Sequence, residues 1–226
     1  MDHLTSLIAA NITFVGTHFA LSHPLRTPLV KALGEKGFLG LYSLISLAAL
    51  AWIVLAFRAL GVGAELWDGK AQLPWAAASV LTIIAVAMLT GSLRGNPALP
   101  ETPIAAVRNA EAHGVFAITR HPMMWAFALW ALAHVLVAPN ARTLITASSI
   151  GVLALLGAHL QDLKKRALLG DAWQAWEART QFWPRWSALA KIPLAIWIAA
   201  MAVWLALTWT HGWLGSVPAG AWKWMA

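Results

Sequence analysis

The chain has 226 residues, of which 60% are hydrophobic and 11% charged, with a formal net charge of +7. A soluble domain of this size carries about 25% charged residues, so a soluble globular protein is excluded. Cysteine is absent, which removes disulfides, iron–sulfur clusters and thiolate ligation and leaves any chemistry to histidine, carboxylate, arginine or a bound cofactor.

The apolar excess falls into blocks at Leu4–Leu21, Phe38–Phe57, Leu73–Leu93, Pro122–Ala138, Leu144–Leu160 and Ile192–Leu214. A hydrocarbon core of about 30 Å needs roughly 20 apolar residues of helix. The expected fold is therefore all-α: a polytopic helical membrane protein with about six transmembrane helices, forming one integral membrane domain over residues 1–226.

The first block opens at Asp2 rather than on a basic segment, and no small-residue cleavage site follows it, so it reads as a retained span. Within it Asn11, His18 and Ser22 share one helical face with Phe14 and Val15 between them. That stripe predicts an inward-facing polar site, because an imidazole is expensive to place against lipid. A packed histidine bonded to a helix carbonyl is the plainer alternative. His3 reads as a terminal surface residue.

The segment before the fourth block reads Ile118-Thr119-Arg120-His121-Pro122. Pro122 suits a first helical position, where its missing N–H costs nothing, and it pushes His121 towards extended backbone. Arg120 and His121 would then stand at a helix start that favours anions, such as a carboxylate or a phosphate. Equally, Arg120 could be an ordinary basic anchor. The fourth block carries His134, while His159 and His211 lie near the ends of the fifth and sixth. No carboxylate falls inside a block, which disfavours an ion-coupled transporter.

After the fifth block, Asp162 and Lys164-Lys165-Arg166 lead to Gly170, and a second short helix begins at Asp171. Asp171 with Gln174 is close to a capping box. Leu169, Trp173 and Trp176 share one face while Lys165, Glu177 and Arg179 stay polar, which predicts a short cytoplasmic interfacial helix. Among the 15 tryptophans, Trp67, Trp75, Trp183, Trp186, Trp213, Trp222 and Trp224 fall near expected interfaces. Trp52, Trp125, Trp130 and Trp204 fall within spans and read as packing residues.

Of the 16 Lys and Arg residues, 12 lie in the first, third and fifth connections. The positive-inside rule then places both termini in the periplasm of a bacterial-type inner membrane. The charge is accounted for by topology and anionic lipid, so the expected partners are the bilayer and a lipid-soluble small molecule, with no nucleic acid.

The run ITRHPMMWAFALWALAH at Ile118–His134 resembles the signature of NnrU-domain membrane proteins, and especially the branch containing plastid 15-cis-zeta-carotene isomerase. The similarity extends to Val15–His18, Gly34–Leu47, the RALLGDAWQAWEART segment and the proline-led last span at Ile192-Pro193. The resemblance implies haem b held by histidines, with cis–trans isomerisation of a polyene as one activity. Other members are linked to production of nitrite and nitric oxide reductases. Carried over by position, the haem ligands fall on His18 and His134 and the RHP histidine on His121; Arg120 at the helix mouth is then expected to hold a haem propionate or a lipid phosphate. Ala131 and Arg58 stand where the isomerase has cysteine and histidine, so catalytic equivalence is a separate matter from haem binding.

Depth poses a difficulty for that ligand pair, since His134 lies about 20 Å along its helix from His121 while His18 sits near the opposite leaflet. The pairs His18 with His121 and His18 with His159 match better in depth. The RHP start, Gly-x-x-Trp-x-x-Trp and a later Trp-Pro are also similar to membrane methyltransferases of the isoprenylcysteine and phospholipid types. By that resemblance Arg120, His121, Asp162 and Glu177 would bind S-adenosylmethionine. Met123-Met124 and the WALAH run depart from that pattern.

Overall fold

The computed structural model describes residues 2–100, 102–214 and 218–225. Eight α-helices organise it: α1 (His3–Ser22), α2 (Arg26–Ala59), α3 (Gln72–Ser92), α4 (Ile104–Asn109), α5 (Pro122–Val137), α6 (Ala141–Leu169), α7 (Asp171–Arg179) and α8 (Leu194–Trp213). Short 3-10 turns lie at Gly114–Ala117, Trp186–Lys191 and Gly220–Trp224. Five of the helices, α1, α2, α3, α6 and α8, are long and apolar enough to cross a membrane, and α5 is a sixth, shorter apolar helix. β-type pairing among the described residues is confined to an isolated bridge between Glu65 and Asn140. The protein is a multi-pass helical membrane protein.

Local signals fix the helix ends. Asp2 caps α1 by accepting from the Thr5 N–H at 2.9 Å, and Asn140 caps α6 by accepting from the Thr143 N–H at 3.2 Å. Pro122 opens α5, with His121 non-helical before it (φ −120°, ψ 54°). The 34 residues of α2 are interrupted at Gly34, whose φ of 70° and ψ of 168° belong to neither helix nor any backbone that a side chain readily adopts. An arm over residues 26–33 is thereby set off from the apolar part that begins near Phe38.

In space the long helices follow the order α2, α1, α6, α5, α3, α8, each packing on the next. Small residues allow the closest approaches. A Cβ added at Gly91 of α3 would come within 2.5 Å of Val115. The main core joins α3 and α5 to the connecting segments through Ala85, Met88, Phe116, Ala126, Trp173 and Trp176, and a smaller cluster around Leu7, Ala10, Ile53 and Ala56 joins α1 to α2. Large apolar side chains such as Ile12, Leu44, Leu55, Leu73 and Ile198 point outward, as a lipid-facing surface requires.

The apolar face of α7 differs from the expectation of a helix resting on lipid. Trp173 and Trp176 are fully buried in the protein's own core, because α7 folds back against α4 and α6. The cap also differs. Gly170, at φ 51°, is the N-cap, and Asp171 sits one position inside with no side-chain capping bond; there its charge still complements the helix dipole. Trp75 and Trp222, expected at an interface, are turned inward. Trp75 donates to the Gly220 carbonyl at 3.0 Å, and Trp222 donates to the Leu205 carbonyl at 3.1 Å. Trp67, Trp183, Trp186, Trp213 and Trp224 are exposed.

The helices leave the bundle with two distinct ends. At one, Lys165 donates to the Leu99 carbonyl, Gln161 to the Ala98 carbonyl and Arg179 to the Arg108 carbonyl. At the other, Trp67 donates to the Leu136 carbonyl, Arg142 to the Leu60 carbonyl and Lys223 to the Lys70 carbonyl. The first end gathers the basic connections. Its 29-residue helix α6 is about 43 Å long at 1.5 Å per residue, which exceeds a hydrocarbon core and carries Asp162 and Arg166 beyond the apolar block.

Candidate functional site

The segment over residues 118–121 lies against the segment over residues 181–185. Arg120 N–H donates to the Gln181 carbonyl at 2.8 Å and Arg185 N–H to the Ile118 carbonyl at 2.9 Å. The Thr119 hydroxyl donates to the Phe182 carbonyl at 2.7 Å, and the Trp125 indole donates to that same oxygen at 3.0 Å. These bonds hold the mouth of α5 rigidly, so Arg120 and His121 have fixed positions before they make any side-chain contact.

Both side chains then converge on Asp162. Arg120 donates from Nε to Oδ1 and Oδ2 at 3.0 and 2.9 Å and from Nη2 to Oδ2 at 2.5 Å. His121 Nε2 lies 2.8 Å from Oδ1. A second carboxylate, Glu177 of α7, stands 3.6 Å from Arg120 Nη2. It accepts a two-pronged pair from Arg166, from Nε at 2.7 Å and Nη2 at 2.8 Å. The Arg120 guanidinium lies over the Phe182 ring at 5.5 Å, and the His121 ring meets Phe182 edge-on at 5.7 Å. Planar two-pronged pairing of this kind fixes geometry as well as charge.

From the sequence, Arg120 is expected to be a helix-mouth group for an external anion or a simple anchor. In the fold its first anion is internal: the carboxylate of Asp162, which α6 delivers to the start of α5. The His121 side chain is completely buried, and its Nδ1 has no partner among the described residues. Beside the cluster lies a cavity of about 540 Å³ that Arg120, His159, Asp162 and Arg166 help to line.

The histidines expected to hold a cofactor are placed apart. His18 of α1 bonds the Phe14 carbonyl through Nδ1 at 2.7 Å, and its Nε2 faces Ser46 Oγ of α2 at 3.4 Å. Its ring meets Tyr42 edge-on at 5.4 Å. Ser22 donates to the Tyr42 hydroxyl at 3.4 Å, so this part of the α1 stripe faces α2. Asn11 is buried and donates to the Leu7 carbonyl, leaving its Oδ1 without a partner among the described residues. His134 of α5 bonds the Trp130 carbonyl through Nδ1 at 2.8 Å. It packs on the Trp130 ring at 4.0 Å and faces the ring of His211 on α8 at 6.4 Å.

His18 lies four residues before the end of α1, about 6 Å from the basic end of the bundle, whereas His134 lies twelve residues past Pro122, about 18 Å from that end. Their neighbours belong to opposite ends of the helix row. The depths and the helix order set His18 and His134 apart, so each imidazole stands as a candidate ligand on its own. His121 and His159 lie at the Asp162 cluster and its cavity rather than beside His18. Taken singly, the donor chemistry does fit. A ring whose Nδ1 is held by a carbonyl presents Nε2 to a metal in a fixed tautomer. His134 meets that condition better than His18, whose Nε2 already faces Ser46.

Sequence reasoning missed the pairing of Arg166 with Glu177 and the role of Phe182. The signals available were the eleven-position separation of Arg166 and Glu177, interrupted by Gly170, and the aromatic run Phe182-Trp183 before Pro184.

Comparison with known proteins supplies the remaining observations. The family model described as NnrU protein matches residues 6–219. The chain is 28% identical over 195 residues to the 15-cis-zeta-carotene isomerase, chloroplastic, of Zea mays, a match that covers 81% of this chain and 50% of the relative. The chain thus spans about half the length of the curated relative it matches. No solved structure matches.

Proposed function

We propose that this chain, which belongs to the NnrU protein family, is a membrane isomerase acting on the double-bond geometry of a lipid-soluble polyene such as a carotenoid. The observation that carries the reading is the similarity to 15-cis-zeta-carotene isomerase along four-fifths of the chain. It covers the spans as well as the connections, so it is more than a shared loop motif. An apolar substrate dissolved in the bilayer also suits a protein whose long helices present apolar side chains outward.

Haem b is the proposed cofactor, and His134, whose Nδ1 is held by the Trp130 carbonyl, would be the residue that holds it. Bound there, haem would supply a redox-active Lewis acid next to an apolar substrate. What the chain itself contributes is orientation. The Trp130 carbonyl holds the His134 tautomer, and the rings of Trp130 and His211 flank the imidazole. Arg120 and His121 are bound to Asp162, so their role in this reading is to fix the start of α5, which sets the rotation and depth at which His134 is presented. The proposed setting is a bacterial-type inner membrane with both termini in the periplasm, as the basic connections imply.

The direct biological test is expression in a carotenoid-producing host that lacks its own isomerase. Conversion of accumulated 15-cis-zeta-carotene is expected, and its persistence in the presence of folded, membrane-inserted protein would leave the accessory role in nitrite and nitric oxide reductase production as the better account.

One observation favours a second reading. The fold assembles Arg120, His121, Asp162 and Glu177 into a single ion cluster, the four residues that the methyltransferase resemblance singled out. Titration of the purified protein with S-adenosylmethionine separates the readings: saturable binding lost in Glu177→Gln supports the methyltransferase, and absence of binding removes it.

A further inference from the structure

The cavity beside Asp162 has a polar floor and an apolar wall. Arg120, His159, Asp162 and Arg166 form the floor, and Leu155, Leu156, Phe182 and Trp183 the wall. Its polar groups are unevenly spent. The Asp162 carboxylate is taken up by Arg120 and His121, and both oxygens of Glu177 by Arg166. Each guanidinium uses Nε and Nη2 in these pairs. The Nη1 groups of Arg120 and Arg166, and the ring of His159, make no hydrogen bond among the described residues. The cavity therefore offers spare donors and hardly any spare acceptors. An occupant must bring oxygen acceptors to the floor.

The wall specifies the rest of the occupant. On α6, Leu155, His159, Asp162 and Arg166 recur at spacings of four, three and four, which places them on one face. That face runs from apolar to charged over about 17 Å. Leu156 and Trp183 are 43% and 69% exposed, so the apolar end is open at the side of the bundle. The volume is that of a small-molecule site. Arginine forks favour phosphate geometry, and the gradient along α6 matches a single-chain amphiphile lying parallel to the helix.

We propose that this cavity binds a membrane amphiphile with a phosphate monoester head, the phosphate meeting Arg120 and Arg166 and the chain lying along Leu155, Leu156 and Trp183. The inference does not rest on the isomerase reading and stands or falls separately from it.

The test is calorimetric titration of the full chain in a neutral detergent with dodecyl phosphate, dodecanol and inorganic phosphate. Dodecyl phosphate is expected to saturate at one per chain with a Kd at least tenfold below those of dodecanol and inorganic phosphate. Arg166→Gln is expected to weaken dodecyl phosphate about tenfold, and Leu156→Trp, which fills the wall without touching the ion pairs, to weaken it similarly. Lys70→Gln, at the opposite end of the bundle beside Lys223, should leave it unchanged. Equal affinity for dodecanol, equal affinity for inorganic phosphate, or full binding by a folded Leu156→Trp protein would each overturn the proposal.

Discussion

Asp162 shows most plainly what one residue does here. Its carboxylate neutralises a buried arginine and ties a buried imidazole to the same point. Taking away one partner of a buried pair leaves the other charge without compensation, at a cost on the order of 3 kcal/mol. Asp162→Asn is expected to destabilise the detergent-solubilised protein by about that amount, read from thermal or denaturant unfolding, and replacing Arg120 as well should recover part of the loss. A change within experimental error for Asp162→Asn would mean that Glu177 alone suffices for Arg120. Histidine is the other residue whose role can be isolated. Haem content, read from the Soret band, should fall to background in His134→Ala and persist in His18→Ala, His121→Ala and His159→Ala. Haem retained in His134→Ala, or lost in His18→Ala, would move the ligand elsewhere. Composition and residue type made the imidazoles visible as candidates, and the RHP motif made Arg120 and His121 visible. Nothing local in the sequence says that Asp162, 42 positions beyond Arg120, returns to meet it, because that contact is created by the packing of α5 on α6.

Among the elements, α2 and α7 divide what pattern can and cannot reveal. The apolar block beginning at Phe38 was legible because lipid imposes length and hydropathy on a span. The preceding arm was not, because a mixed sequence with Arg26, Lys31 and Lys36 has no such constraint, and only Gly34 marks the break. Gly34 occupies a backbone conformation that disfavours any Cβ. Gly34→Ala is expected to cost about 1 kcal/mol, read from thermal unfolding, whereas alanine at Gly40, which has a helical backbone and open space around it, should be neutral or slightly stabilising. An equal response at the two positions would argue that the break at Gly34 is dispensable. For α7 the amphipathic pattern was legible and its partner was not. An apolar stripe announces that something covers it, and lipid and protein satisfy that demand equally well. Here Trp173 and Trp176 are covered by the protein's own core, which also brings Glu177 to Arg120.

At the scale of the molecule, the bundle sorts its connections into two ends, and the basic one holds the Arg120–Asp162–Glu177 cluster. If the positive-inside rule governs, that end faces the cytoplasm. A reporter fused after Ala226 should then be active only as a periplasmic enzyme, and a C-terminal fluorescent fusion that matures in the cytoplasm would invert the topology. Membership of the family extends over nearly the whole chain, so the proposed activity would be a property of the intact bundle rather than of one loop. The most direct test is to incubate the purified chain, reconstituted in liposomes and loaded with haem b, with 15-cis-zeta-carotene in the dark and to resolve the isomers by chromatography. Time-dependent loss of the 15-cis isomer, abolished in His134→Ala, is the predicted result. An isomer composition that stays the same as in protein-free liposomes, with the protein folded and haem-loaded, would contradict the isomerase account.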